Sequence, residues 1–219
     1  MQIVIDYVCG IIDADEFKKE WYTNPSIGEW LDSLVDLKSP LNEEWSNLPY
    51  NYLRLAIHKH YDGSCAKFIE ASDSFHTQHP NTPKWLDIKW HFDAIAAIIV
   101  VAFPEIVPTT YYEEEASFYQ NAVGEYLGGP EVEEYIGNIL ESFPRDMGKT
   151  KRIKAAKSEL KSRFHISGNR YPRWAQEAEW PMGTQTPMMF VSQKRTGEQV
   201  IYTFQDADTG EIRTIEQYN

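Results

Sequence analysis

Six histidines, two cysteines and two runs of carboxylates are the side chains whose types could support chemistry in this chain. His58 and His60 flank Lys59 in a helical stretch, so they leave the helix on different faces and cannot chelate together. His76 and His79 are three apart and share a face if their helix continues to Pro80; with His91 or Asp87 they outline a divalent-metal set. No cysteine pair and no HExxH run accompanies them, and "SDSFHTQHPNTP" reads as a helix end entering a loop, so neither a metal nor another cofactor is expected. Cys65 is near His58, His60 and Asp62 in the chain, but a nucleophile–base pair is set by the fold, and a buried structural thiol is the expectation. Gly128-Gly129 lacks the partners of a phosphate cradle, and no G-x-S-x-G elbow occurs.

The carboxylates remain. Glu113, Glu114 and Glu115, and then Glu131, Glu133 and Glu134, have the density of solvated helix faces. The first run also sets negative charge at a helix start, where the macrodipole favours it. With Tyr111 and Tyr112 they are the candidate contacts for a partner, and no catalytic residue is assigned.

Charge indicates what that partner would be. The 219 residues hold 21 Lys/Arg and 33 Asp/Glu, a net of −12. Residues 145–173 carry ten Lys/Arg against Asp146 and Glu159, leaving 11 basic and 31 acidic residues elsewhere. Such a body repels nucleic acid and attracts cations, so a basic protein is the expected partner and nucleic acid is not. Lysines and arginines interleaved over 149–163 are what a nucleic-acid-binding regulator would use, and a hydrolase with a His/carboxylate site between helices and sheet is the enzymatic alternative.

Composition places the elements. With 42% apolar and 14% aromatic residues the chain can fill a core. Its start, "MQIVIDYVCGIIDADEF", has no basic n-region, and the longest apolar run, "AIAAIIVVAF" (94–103), is half a bilayer span, so a soluble cytoplasmic protein without a membrane segment is expected. Two unpaired cysteines suit a reducing compartment.

Asp13 with Glu16 reads as a capped helix start, and Asn24-Pro25 as another. Further helices are expected over 49–61, 64–78 and 84–103, the last being the central one, and on either side of Gly128-Gly129-Pro130. Beyond Pro144 a basic helix leads to a loop and three strand-like runs, 188–194, 198–205 and 211–218. The expected class is α+β, a helical body (1–145) followed by a basic helix, loop and antiparallel β-meander (146–219). Trp174, Trp180, Pro181 and Phe190 are expected in the seam between sheet and helices, with Pro181 fixing the turn into the first strand.

Two stretches carry a resemblance. "PRWAQEAEWPMGTQTPMMFVSQKRTGEQVIYTFQDADTGEIRTIEQY" (172–218) resembles the C-terminal segment of small proteins of Gram-positive bacteria, in its Trp-Pro, "Y-x-F-x-D" and closing "E-Q-Y". "DYVCGIIDADEFKKEWYTNPSIGEWLDSLV" (6–35) is similar to a leader of bacterial toxin-neutralising (immunity) proteins. The resemblance implies a non-enzymatic protein that occludes a basic toxin domain. On this reading the chain's chemistry lies on its outside, with no reactive centre within.

Overall fold

The computed structural model describes the backbone of residues 1–39, 48–78 and 84–219, and the side chains of these except 74–78 and 84–86. The chain is α+β and divides into two compact units, Met1–Ala116 and Ser117–Asn219. The division falls within a helix instead of after residue 145, so the helices on both sides of Gly128-Gly129-Pro130 group with the sheet and not with the first helices.

The first unit holds α1 (Gln2–Cys9), α2 (Ala14–Thr23), α3 (Ser26–Leu34), α4 (Asn51–His60), α5 (Cys65–Gln78), α6 (Lys84–Ala102) and the start of α7 (Tyr111–Val123). As the sequence suggests, Asp13 caps α2, its carboxylate accepting from the Glu16 amide at 2.8 Å. Pro25 already has helical dihedrals (φ −54, ψ −24), and Asn24 Oδ1 accepts from Ser26 N at 3.3 Å and Ser26 Oγ at 2.6 Å. The most apolar helix, α6, packs against α1, α3, α4 and α5, and Phe92 through Ile99 are all buried. Its second half, apolar apart from Asp93, has to be surrounded, which makes α6 the axis of this unit. Tyr7 of α1 stacks on Phe17 of α2 at 4.3 Å and meets Phe92 edge-on at 5.5 Å, tying α1 and α2 to that axis.

The second unit holds the rest of α7, α8 (Glu133–Glu141), a short 3₁₀ turn (Arg145–Met147), α9 (Lys149–Arg163) and the strands β1 (Met189–Thr196), β2 (Gln199–Gln205) and β3 (Ile212–Tyr218). The strands form an antiparallel meander in the order β1-β2-β3, with β2 in the middle. Val200, Tyr202 and Phe204 alternate as buried residues along β2, the period-two signature of a half-covered sheet. Gly197, at φ +64, makes the two-residue turn between Thr196 and Gln199.

The covered face is closed by the loop between α9 and β1. Trp180 is 1% exposed, with its ring edge-on to Phe164 at 5.1 Å and to Phe204 at 5.4 Å, and its Nε1 donates to the Met188 carbonyl at 2.8 Å. Trp174 packs on Tyr202 and Phe204, Phe190 packs on Phe204, and Pro181 is buried. Gly129, at φ +122, lets its strand of chain pass the Glu179–Trp180 backbone, where a Cβ would stand 2.9 Å from Trp180 N. The Trp180 amide donates to the Gly128 carbonyl there at 2.8 Å. This paired glycine is therefore a close-approach device.

Among the described residues, no helix is long and apolar enough to cross a membrane.

Candidate functional site

In the first unit, titratable side chains from α2, α5 and α6 converge on a hollow of about 100 Å³. Tyr7, Phe17, Trp21, Ile69, Ile88 and Ile95 form its apolar wall; Lys18, Tyr22, Asp73, Asp87 and His91 supply its polar side. The expectation of an interior without convergent titratable groups is corrected here, because a long-range register between α5 and α6 brings together residues that are far apart in sequence.

Local rules set that register. Asp87, His91 and Ile95 are spaced i, i+4, i+8 and so lie on one face of α6. The start of α5 is fixed by Asp32 of α3, whose carboxylate accepts from Ser64 Oγ at 2.6 Å and from the Cys65 amide at 2.7 Å. Gly63, at φ +70, is required just before it, since a Cβ would meet the Leu37 backbone at 2.7 Å. About one and two turns further on, α5 presents Ile69 and Asp73 to the hollow.

The polar groups hold one another. His91 Nε2 lies 3.3 Å from Asp87 Oδ1 and 3.6 Å from Asp73 Oδ1. Lys18 Nζ is 3.4 Å from Asp73 Oδ1 and 5.8 Å from the centre of the Tyr22 ring. The Tyr22 hydroxyl donates to Asp73 Oδ2. Burial, and then the Asp73 carboxylate, push the Tyr22 hydroxyl above its ordinary range, so it remains a donor. The side chains of Asp73, Asp87 and His91 are 22%, 15% and 13% exposed, while Asp87 Oδ1 and His91 Nε2 themselves are buried. Their ligand atoms lie within 4.8 Å of one another, so these three residues could hold a divalent cation with two oxygens and one nitrogen.

His91 and Asp87 were visible in the sequence as candidates, but His76 and His79 lie outside the described side chains. Asp73, Lys18, Tyr22 and Trp21 carry no sequence signal, because only packing makes them neighbours. His58 is turned to the Leu37 carbonyl at 2.5 Å, and His60 is exposed. Cys65 is buried, which pushes its thiol up and leaves it unreactive.

The acidic residues chosen from sequence fall in both units. Tyr112 is buried between Tyr7 and Phe92, Glu115 is buried, and Tyr111 is half-buried edge-on to Tyr112. Tyr112 and Glu115 therefore offer almost no surface, and Tyr111 part of its own. Glu113 is 68% exposed and lies 2.9 Å from Lys89 Nζ, which also pairs with Asp93. Glu114 is exposed and accepts from Thr110 Oγ1 at 2.8 Å.

In the second unit Glu131 is held by both guanidinium nitrogens of Arg213, at 2.8 and 2.5 Å, and by the Met182 amide at 3.0 Å; the Arg213 bonds first, then that amide, keep its carboxyl below the usual range. Glu133 accepts from the Tyr119 hydroxyl at 2.7 Å, and Glu134 is exposed. Of the eight, Glu113, Glu114 and Glu134 face solvent most freely.

Comparison with family models, curated proteins and solved structures finds no match to this chain.

Proposed function

We propose that the chain is a binding protein of the toxin-neutralising type, acting in the bacterial cytoplasm, whose first unit receives a cationic side chain of a basic partner. The observation that carries this reading is the acidic, aromatic-walled hollow within a unit that has 8 Lys/Arg against 19 Asp/Glu. Its size favours a side-chain head group, since a hollow of about 100 Å³ is well below the ~300–1,000 Å³ of pockets that enclose small-molecule substrates. A cation already sits at its mouth: the Lys18 ammonium, between the Asp73 carboxylate and the Tyr22 ring. A guanidinium could take that place with bidentate bonds to a carboxylate and stacking on Trp21 or Tyr22, both of which an ammonium makes less well. The charge of the surrounding unit would speed the encounter.

Co-expression tests the reading. Where the neighbouring reading frame encodes a secreted protein with a variable C-terminal toxin domain, this chain restores growth to cells expressing that domain. The double variant Asp73→Asn, Asp87→Asn restores it poorly. Failure of the natural chain to protect overturns the proposal.

A second reading rests on the Asp73, Asp87 and His91 ligand set, which suits a hydrolytic metal as well as a cationic side chain. Isothermal titration with Zn²⁺ and Mn²⁺ separates the two: micromolar binding abolished by His91→Ala favours the metal, and its absence favours the side chain.

A further inference from the structure

We infer that the exposed lysine stripe of α9 docks on the phosphate backbone of nucleic acid, a role separate from that of the acidic unit. Lys151, Lys154, Lys157 and Lys161 are spaced i, i+3, i+6 and i+10, so they fall within about 120° of the helix surface and extend about 15 Å along it. The buried Ala156 and Leu160, with Phe164 at its C-cap, fix the helix that carries the stripe.

The other cations of the helix have internal work. Arg152 is buried, its guanidinium 3.6 Å above the Phe118 ring and its Nε donating to the Phe143 carbonyl at 2.8 Å. Arg163 pairs with Glu159 at 2.7 Å. Lys161 is half-buried, its Nζ donating to the Gly168 carbonyl at 3.5 Å, whereas Lys151, Lys154 and Lys157 are exposed, and among the described residues no carboxylate pairs with them. No acidic residue occupies the first turn of α9, where Lys149 and Lys151 stand instead, at the positive end of the helix dipole. Within the chain, this placement is unfavourable from both sides. An external polyanion relieves both, and local rules broken without internal compensation mark functional surfaces.

A row of ammonium groups about 15 Å long matches the repeating monoanions of a phosphate backbone, which lysine binds as a point charge. The second unit as a whole is close to neutral, with 13 Lys/Arg and 14 Asp/Glu, so its own charge does not oppose approach. Carboxylates more than a Debye length away, about 10 Å at 0.1 M salt, are largely screened.

Fluorescence anisotropy of a labelled 20-base-pair duplex, read against salt concentration, tests the inference. Roughly three phosphate contacts predict an affinity that falls about 40-fold between 50 and 200 mM salt. Each of Lys151→Gln, Lys154→Gln and Lys157→Gln is expected to lower the salt slope by about one, and glutamine preserves the helix. The exposed Lys67→Gln of the first unit leaves the slope unchanged. The inference is overturned if the duplex does not bind, if the triple variant binds as the natural chain does, or if polyglutamate binds while the duplex does not.

Discussion

The two units use their polar residues in opposite ways. In the first, Asp73, Asp87, His91, Lys18 and Tyr22 converge on a hollow of about 100 Å³. In the second, the polar side chains beneath the sheet are spent on backbone. Gln217 is 1% exposed: its Oε1 accepts from the Ala175 and Gln176 amides at 3.1 and 3.0 Å, and its Nε2 donates to the Glu177 carbonyl at 2.7 Å. The Tyr202 hydroxyl accepts from the Ala175 amide at 2.7 Å and donates to the Arg173 carbonyl at 2.9 Å. Asp206 binds Thr184 through both amide and hydroxyl, and its other oxygen takes the Asp208 and Thr209 amides. These residues pin an irregular segment on a three-stranded sheet, the smallest that can be stable once one face is covered. Polar residues that converge on backbone amides make structure, and polar residues that converge on a hollow make it a candidate site.

This contrast can be broken most forcefully at Trp180. Trp180→Ala removes a fully buried ring between Phe164 and Phe204 and is expected to cost about 3–5 kcal/mol, read as a lowered denaturant midpoint for the second unit by hydrogen exchange of the β2 amides. Gln217→Ala comes next. It strands the Gln176 amide and the Glu177 carbonyl, the Ala175 amide keeping the Tyr202 hydroxyl, and each left without a partner costs about 1–3 kcal/mol if water cannot reach it. Urea denaturation of this variant with an unchanged midpoint would show that the clamp is ornamental.

The motif that carried the family resemblance can now be read physically. Trp174, Trp180, Tyr202, Phe204, Asp206 and Gln217 all belong to the packing and clamping of the second unit. The helices expected over 49–61, 64–78 and 84–103 occur as Asn51–His60, Cys65–Gln78 and Lys84–Ala102, and the meander occurs within two residues of its expected bounds. These were legible because apolar period and capping are local. Gly128-Gly129 was legible as a break, but its reason, the passing Trp180 backbone, is 51 residues beyond Gly129. The hollow was half legible for the same reason: Asp87 and His91 share a helix, whereas Asp73 joins them only through the packing of α5 on α6.

Acid acts on the second unit through Asp206. The Asp208 amide first, then the Thr184 hydroxyl and amide, hold its carboxyl down to about 2. A carboxyl depressed from its ordinary value of about 3.9 stabilises the fold above that pH and loses this contribution as pH falls toward its folded value. Stability of the second unit is therefore expected to decline between pH ~4 and ~2, and Asp206→Asn to flatten that decline, followed by denaturant midpoints across this range. The smallest effect belongs to the hollow: Asp73→Asn with Asp87→Asn is expected to change stability by less than about 1 kcal/mol, since the groups are partly solvated and the amide can still accept from Tyr22. Thermal melts check this, and a large loss would make the cluster structural.

Titrating the natural chain and that double variant with an arginine-rich peptide, followed by side-chain NMR, tests the cation-receiving hollow most directly. The account predicts saturable shifts centred on His91, Trp21 and Tyr22, weakened at least about tenfold in the double variant, the loss of one charge-assisted contact of about 1.4 kcal/mol or more. Shifts spread over the exposed glutamates, leaving His91 and Trp21 unmoved and identical in the two proteins, would contradict it.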